Sequence, residues 1–288
     1  MIKRIKKVVG YLILIVVLLA IPWQLSLKPS NDKNWRADQQ VLAYADINDN
    51  LIHVHNIRNF SYKSEEEFTP GYYNKTFDLN KLNKVYFIME RFSNFQGQAH
   101  TFVSFEFSSS AESYGGSASG GEDSDFLAIT VEARREVGET WDPFRGVLRQ
   151  FELMYVIADE QDVVKLRTNY RNDPLYIFPI KTTKEKSQAM FLEMIKRANK
   201  LKEKPEFYHT VSSSCTTNLV KHVNTISPEK LPDFSLSFLL PGYSGKLVYK
   251  LGMIDTDLPY DEAEKKFYAT DKAHQFANDP LFSKKIRE

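Results

Sequence analysis

Phe126-Leu-Ala-Ile-Thr-Val-Glu-Ala-Arg134 is the stretch on which the fold turns. Leu127, Ile129, Val131 and Ala133 fall on one side of an extended backbone, and Thr130, Glu132 and Arg134 on the other. That alternation predicts a strand with one apolar face and a charged second face. Working outward, residues 41–45, 51–60, 82–91 and 100–107 before it have strand composition, as do 163–168 and 175–180 after it. Residues 144–154 read as a helix. Residues 183–201 form an amphipathic helix, with Thr183 as N-cap and Met190, Met194, Ile195 and Ala198 as its apolar stripe. Ser212-Ser-Ser-Cys-Thr-Thr-Asn-Leu-Val-Lys-His-Val223 opens another helix, since Ser and Thr favour caps and Leu219, Val220 and Val223 share one face. Residues 68–73 are a loop with aromatic anchors, Pro241-Gly-Tyr243 is a turn, and 255–288 is a polar, helical and irregular tail. Residues 108–124, rich in Ser, Gly and acids, read as a mobile loop. There is no internal repeat. The predicted class is α+β, a mostly antiparallel sheet with packed helices.

The N-terminus reads differently. Lys3, Arg4, Lys6 and Lys7 precede an apolar stretch, residues 8–27. A helix over those residues would be roughly 30 Å long, enough to cross a bilayer's hydrocarbon core. The leading cations set the N-terminus in the cytoplasm and the body on the other side. A cleaved signal peptide is the competing reading, but no clear Ala-x-Ala site follows the run. The expected organisation is a transmembrane anchor at 1–27, a juxtamembrane spacer at 28–34 and an exported catalytic-type domain at 35–288. That makes a single-pass membrane protein with its domain on the non-cytoplasmic side.

The chain has 42% hydrophobic and 26% charged residues, an ordinary globular composition. Its 38 basic and 37 acidic side chains leave a net charge of +1, so no basic patch argues for nucleic acid. Its 15 Tyr and 20 Phe suit cores and apolar grooves.

Cys215 is the one cysteine, so no intrachain disulfide can form. It is a buried filler, an intermolecular link or a working thiol. The third reading has a physical basis, because a helix N-terminus lowers a thiol's pKa and offers N–H groups to an oxyanion. A thiolate also needs a base and an orienting partner. His100 on one strand and Glu132 on a neighbouring one provide a candidate pair. His209, just before the Cys215 helix, is another candidate base, whereas His222 lies two turns down it. His53-Val-His55 has same-face spacing, but no further ligands stand nearby, so no metal is expected. Asp46–Ile57 begins like an EF-hand loop but has Leu51 and Ile57 where Gly and Glu are needed. No cofactor is expected.

Eight stretches together resemble the DUF4105 family, the Lnb N-terminal periplasmic domain. They are Asn34-Trp-Arg-Ala-Asp-Gln, Asn56-Ile-Arg-Asn-Phe, Gly97-Gln-Ala-His-Thr-Phe, Glu132-Ala-Arg-Arg-Glu, Tyr155-Val-Ile-Ala-Asp-Glu, Leu166-Arg-Thr-Asn-Tyr, Cys215-Thr-Thr-Asn and Leu240-Pro-Gly-Tyr. The resemblance implies a membrane-anchored cysteine acyltransferase acting on acyl esters of lipoproteins or lipids. The family's namesake is understood as a lipoprotein intramolecular transacylase. It moves the sn-2 acyl chain of a diacylglyceryl-cysteine onto that cysteine's own α-amine and leaves a lyso-form lipoprotein.

The order of His100, Glu132 and Cys215 is also similar to permuted NlpC/P60, papain-like enzymes. It implies Cys215 as nucleophile, His100 as base and Glu132 as orienter. The family has Asn before the Cys, where this chain has Ser214. The candidate substrate contacts are Arg134, a bidentate donor, Asn218, one turn after Cys215, and Tyr155. The expected partners are the membrane and a lipoprotein or lipid acyl substrate. A papain-like amidase or thioesterase, or a non-catalytic envelope binding module with an inert Cys215, are the alternatives.

Overall fold

The computed structural model describes residues 27–108, 124–232 and 235–288, with scattered positions before residue 27. The expected anchor and the Ser/Gly-rich loop therefore lie largely outside the described residues. Among the described residues, no helix is long and apolar enough to cross a membrane.

The strands in chain order are β1 (Tyr44–Asn48), β2 (Leu51–Arg58), β3 (Ser61–Tyr62), β4 (Phe68–Thr69), β5 (Tyr72–Asp78), β6 (Leu82–Glu90), β7 (His100–Ser108), β8 (Ser124–Arg134), β9 (Glu152–Asp159) and β10 (Leu175–Pro179). The helices are α1 (Pro143–Val147), α2 (Glu160–Lys165), α3 (Lys184–Glu203), α4 (Cys215–Ile226), α5 (Leu236–Leu239), α6 (Ser244–Lys250), α7 (Tyr260–Lys266), α8 (Thr270–Gln275) and α9 (Phe282–Lys285). The sheet order is β1-β2-β9-β8-β7-β6-β10, with β5 also paired to β2. Every pairing is antiparallel except β2 with β9, which meet in parallel at Arg58 and Ala158. β3 and β4 form a separate hairpin.

Both faces of the sheet are covered. Leu127, Ile129, Val131 and Ala133 of β8 join a core with Phe191 and Met194 of α3 and Leu219 of α4. Ala128 of the opposite face packs with Phe102, Val163 of α2, Ala273 of α8 and Phe282 of α9. The alternation in β8 thus separates two cores rather than a core from solvent. His100 and Cys215 reach each other because α4 lies over β7, where Thr101 Oγ1 and Thr216 Oγ1 are 2.9 Å apart.

Three sequence expectations need correction. Residues 68–73, expected as a loop, carry β4 and the start of β5. Residues 163–168 are not a strand. Asp159 caps a helix by accepting the Gln161 N–H at 2.9 Å, and Glu160 and Asp162 sit in the first turn, where the helix dipole favours acids. α2 runs on into a turn of π-helix, Leu166–Tyr170, in which the Arg171 N–H reaches the Leu166 carbonyl. The helix expected over 144–154 stops after Val147. Arg149 adopts φ 57°, and β9 follows, buried at every position. A strand covered on both faces loses its alternation and shows a continuous apolar run.

A buried ion pair joins the start of α2 to β2. Asp162 takes the Arg58 guanidinium through both oxygens, at 2.9 and 2.8 Å, and also accepts the Phe60 N–H and the Tyr62 hydroxyl, each at 2.8 Å. Breaking one side of such a pair costs about 3–5 kcal/mol, because it strands the other charge. Asp162→Ala is expected to lose stability in that range in urea unfolding. A loss below about 1 kcal/mol would mean that water reaches Arg58.

Candidate active site

Cys215 is the first residue of α4, and local hydroxyl chemistry puts it there. Ser214 is extended, and its hydroxyl accepts the Thr217 N–H at 3.4 Å while Thr217 Oγ1 accepts the Ser214 N–H at 2.7 Å. This reciprocal cap needs an oxygen at both positions. Asn218 adds its amide, which donates to the Ser213 hydroxyl at 3.2 Å and the Ser214 carbonyl at 2.8 Å. The first-turn N–H groups of Cys215 and Thr216 are donors that the helix itself cannot satisfy.

Sheet register supplies the other half. Glu90 of β6 is the cross-strand partner of His100 on β7. On the far side, Phe102 pairs with Thr130 of β8, which places Glu132 beside His100. His100 Nε2 is 3.2 Å from Glu132 Oε1 and 2.6 Å from Thr130 Oγ1. The Thr130 hydroxyl donates to Glu132 at 2.9 Å, so it accepts from Nε2–H. With Nε2 carrying the hydrogen, Nδ1 is the nitrogen left for the thiol. Arg167, on the π-turn, spans the row. Its guanidinium meets Glu90 at 2.7 Å, Glu132 at 3.1 Å and the Val163 carbonyl at 2.9 Å. Thr130 and Glu132 thus hold the imidazole from one side, backed by Arg167 and Glu90, and leave its other nitrogen towards sulfur.

The electrostatics follow from this packing. Burial alone would lower the His100 pKa, but the Glu132 carboxylate and the Cys215 thiolate outweigh it and raise the imidazole to about 10. Burial alone would raise the Cys215 thiol, but the His100 imidazolium, the Thr101 N–H and the Thr216 hydroxyl draw it down to about 7. Glu132 is pushed far below the usual carboxylate range: its burial is overcome by His100, then Arg167 and Thr130. Near neutral pH the proton therefore sits on His100 and a thiolate–imidazolium pair results.

The sign of the pH dependence is fixed by these directions. Thiolate is gained as pH rises through about 7, and the acid form of His100 is lost as pH rises through about 10. Alkylation of Cys215 by iodoacetamide is expected to rise through pH 7 and level off well before an ordinary thiol would. A midpoint at the usual thiol value, near 9, would contradict the ion pair.

A cavity of about 690 Å³ opens onto Cys215, His100 and Glu132. Its lining is mixed: Phe92, Trp141, Tyr208, Phe238 and Leu240 are apolar, and Arg58, Arg135, Arg171, Glu90 and Asp173 are charged. A cavity of this size, combining apolar walls with convergent polar groups, is the usual form of a small-molecule site. No group of His, Cys, Asp or Glu among the described residues is arranged to hold a metal ion.

The structure brings Cys215, His100 and Glu132 together and places the three expected substrate contacts away from the cavity. Arg134 is buried under residues 31–40. Its guanidinium donates to the Gln39 carbonyl at 3.0 Å and the Gln40 carbonyl at 2.8 Å, and stacks 4.1 Å over Trp35. The strand parity ends there, and the next residue, Arg135, lines the cavity instead. The Tyr155 hydroxyl meets His222 Nε2 at 2.6 Å inside the α3–α4 core. Asn218 is spent on the helix cap. His209 is also structural, because its Nδ1 accepts the Ser212 N–H at 3.2 Å in the turn before α4. His53 and His55 bond Thr76 and Asp46 on the strand surface.

Sequence reading missed Thr130 and Glu90. Thr130 had a signal, since it lies two residues from Glu132 on one strand face.

Residues 68–241 match the family described as the Lnb N-terminal periplasmic domain. No curated protein and no solved structure matches the chain.

Proposed function

The chain belongs to the family of the Lnb N-terminal periplasmic domain, an envelope domain, and from that premise we propose that it is a cysteine-dependent acyltransferase. It is held in the membrane by residues 1–27 and acts on acyl esters of lipoproteins or lipids. The observation that carries the reading is the placement of Cys215, at a helix N-terminus and in a cavity lined by both apolar and charged side chains, against a His100 fixed by Glu132. The sequential order of the His strand before the Cys helix supports a permuted papain-like arrangement.

The chemistry runs in two halves. The Cys215 thiolate attacks the ester carbonyl carbon, and the carbonyl electrons move onto oxygen, where the first N–H groups of α4 hold the oxyanion. Collapse breaks the carbon–oxygen bond. The imidazolium of His100 gives its proton to the departing alkoxide, leaving a thioester on Cys215 and a neutral imidazole. An amine then attacks the thioester, and His100 takes the proton that the amine nitrogen sheds. Collapse expels the thiolate, and the thiolate–imidazolium pair is restored. The sum is ester plus amine giving amide plus alcohol. The covalent step divides one difficult transfer into two easier ones.

The test is mass spectrometry of lipoprotein N-termini in cells with and without this chain. The expected result is a chain-dependent move of one acyl group from the glyceryl oxygen to the α-amine. An acylation pattern identical in the two strains would overturn the transfer reading.

A further inference from the structure

We propose that the mouth of the Cys215 cavity docks on the surface of a lipid bilayer, with a ring of apolar side chains set among the acyl chains. Phe95, Phe144, Val211, Leu236 and Tyr243 are 55, 68, 43, 67 and 42% exposed. They come from separate segments of the chain, and each lines the cavity or stands within two residues of one that does. Phe95 lines the cavity itself. Phe144 follows Pro143, Val211 follows Thr210, Leu236 precedes Phe238 by two residues and Tyr243 follows Pro241 by two, and each of these neighbours lines the cavity. Single exposed apolar residues are ordinary on a protein surface, whereas a ring of large ones around one cavity marks an interaction face.

The opening is also built to keep its shape. The Gly242 N–H donates to the Gly97 carbonyl at 3.0 Å, and a Cβ on Gly242 would fall 1.8 Å from the Gln96 carbonyl oxygen. The turn bearing Tyr243 is therefore locked against the loop bearing Phe95.

The path of the chain identifies the occupant as a bilayer. The sequence has its apolar run at residues 8–27, and the segment directly after it is fastened to this end of the domain. The Ser30 N–H reaches Glu152 at 3.2 Å, Lys33 pairs with Glu136 and Glu152 at 3.1 and 2.9 Å, and the Val137 N–H reaches the Asn34 carbonyl at 2.8 Å. Residues 137 and 152 bracket the loop that carries Phe144. The spacer is thus no loose tether: it ties the apolar run to the two ends of the segment that carries Phe144. Arg145, Arg149 and Lys221 are exposed in or near the same segments and suit anionic headgroups.

The docking rests on the acyl-ester reading for its purpose, since it would deliver an acyl chain from the bilayer to Cys215 without passage through water. It is therefore measured on the Cys215→Ser protein, whose chemistry is switched off, so the result does not depend on that reading. The full chain is given one new cysteine, Phe144→Cys, Leu236→Cys or Leu51→Cys. Each is labelled with a nitrobenzoxadiazole fluorophore and reconstituted in vesicles of phosphatidylethanolamine and phosphatidylglycerol, about 3:1, with plain or brominated acyl chains. Leu51 is 51% exposed and sits at the opposite end of β2 from the cavity-lining Arg58. The expected result is a blue-shifted emission and at least twofold quenching by brominated lipid at positions 144 and 236, with neither at 51. Emission at 144 and 236 indistinguishable from that at 51 would overturn the proposal and leave the ring for a protein partner.

Discussion

Cys215→Ala is expected to reduce acyl transfer by about 10⁵-fold or more, with little change in stability. Removing the nucleophile of a covalent mechanism leaves only the binding and oxyanion contributions, and losses in that range follow. The structural cost is small. Cys215 is 7% exposed at the cavity wall, so the lost sulfur opens onto space that already exists. The cap that starts α4 uses Ser214 and Thr217 and does not need the thiol. The direct measurement is trapping of the intermediate. Wild-type protein incubated with a diacylated lipopeptide should gain one acyl mass on Cys215, released by neutral hydroxylamine, and Cys215→Ala should gain none. Acyl transfer that persists in Cys215→Ala within tenfold of wild type would move the chemistry away from this thiol.

The second large effect is expected at His100. His100→Asn should lower transfer by about 10³- to 10⁴-fold, near the usual contribution of a general acid and base. It should also change the thiol itself. Burial raises the Cys215 pKa and His100 is the first influence that brings it back down, so without the imidazolium the thiol should titrate above its normal value. The two consequences separate a catalytic His100 from a structural one. A packing defect would slow transfer and leave the pH midpoint of Cys215 alkylation near 7, whereas loss of the ion pair moves that midpoint up by more than one unit. Stability offers a further check: His100 stacks on Phe102 with ring centres 5.8 Å apart, and Arg167 and Thr130 continue to satisfy Glu132. Asparagine at 100 should therefore leave the domain folded.

Some of the site was legible before any coordinates. Ser and Thr around position 215 announce a helix cap, and a lone thiol on that cap is a candidate for activation whatever the fold. The alternation in β8 placed Glu132 off the face of Leu127 and Ile129, where the structure also has it. The failures share one cause. Arg134, Tyr155 and Asn218 have side chains able to bind a substrate, and the tertiary structure spends each of them elsewhere: on the Gln39 and Gln40 carbonyls, on His222 and on the cap of α4. Side-chain chemistry states what a residue can bond. Only its neighbours decide which of those bonds are already made.

The sequence by itself determined the local geometry: extended segments of period two, the α3 and α4 caps and the position of the thiol at a helix start. These are preferences of adjacent backbone, and residues within a few positions suffice to express them. The tertiary structure alone decided what surrounds His100. The row of Glu90, His100 and Glu132 exists because β6, β7 and β8 pair in one register, and Arg167 closes it from a π-turn 35 residues beyond Glu132. No local preference specifies that meeting. It comes from strand order and from two buried faces that must both be filled. The charge that favours a thiolate at Cys215 is thus an outcome of the assembled sheet, while the place where that thiol stands was written in the sequence.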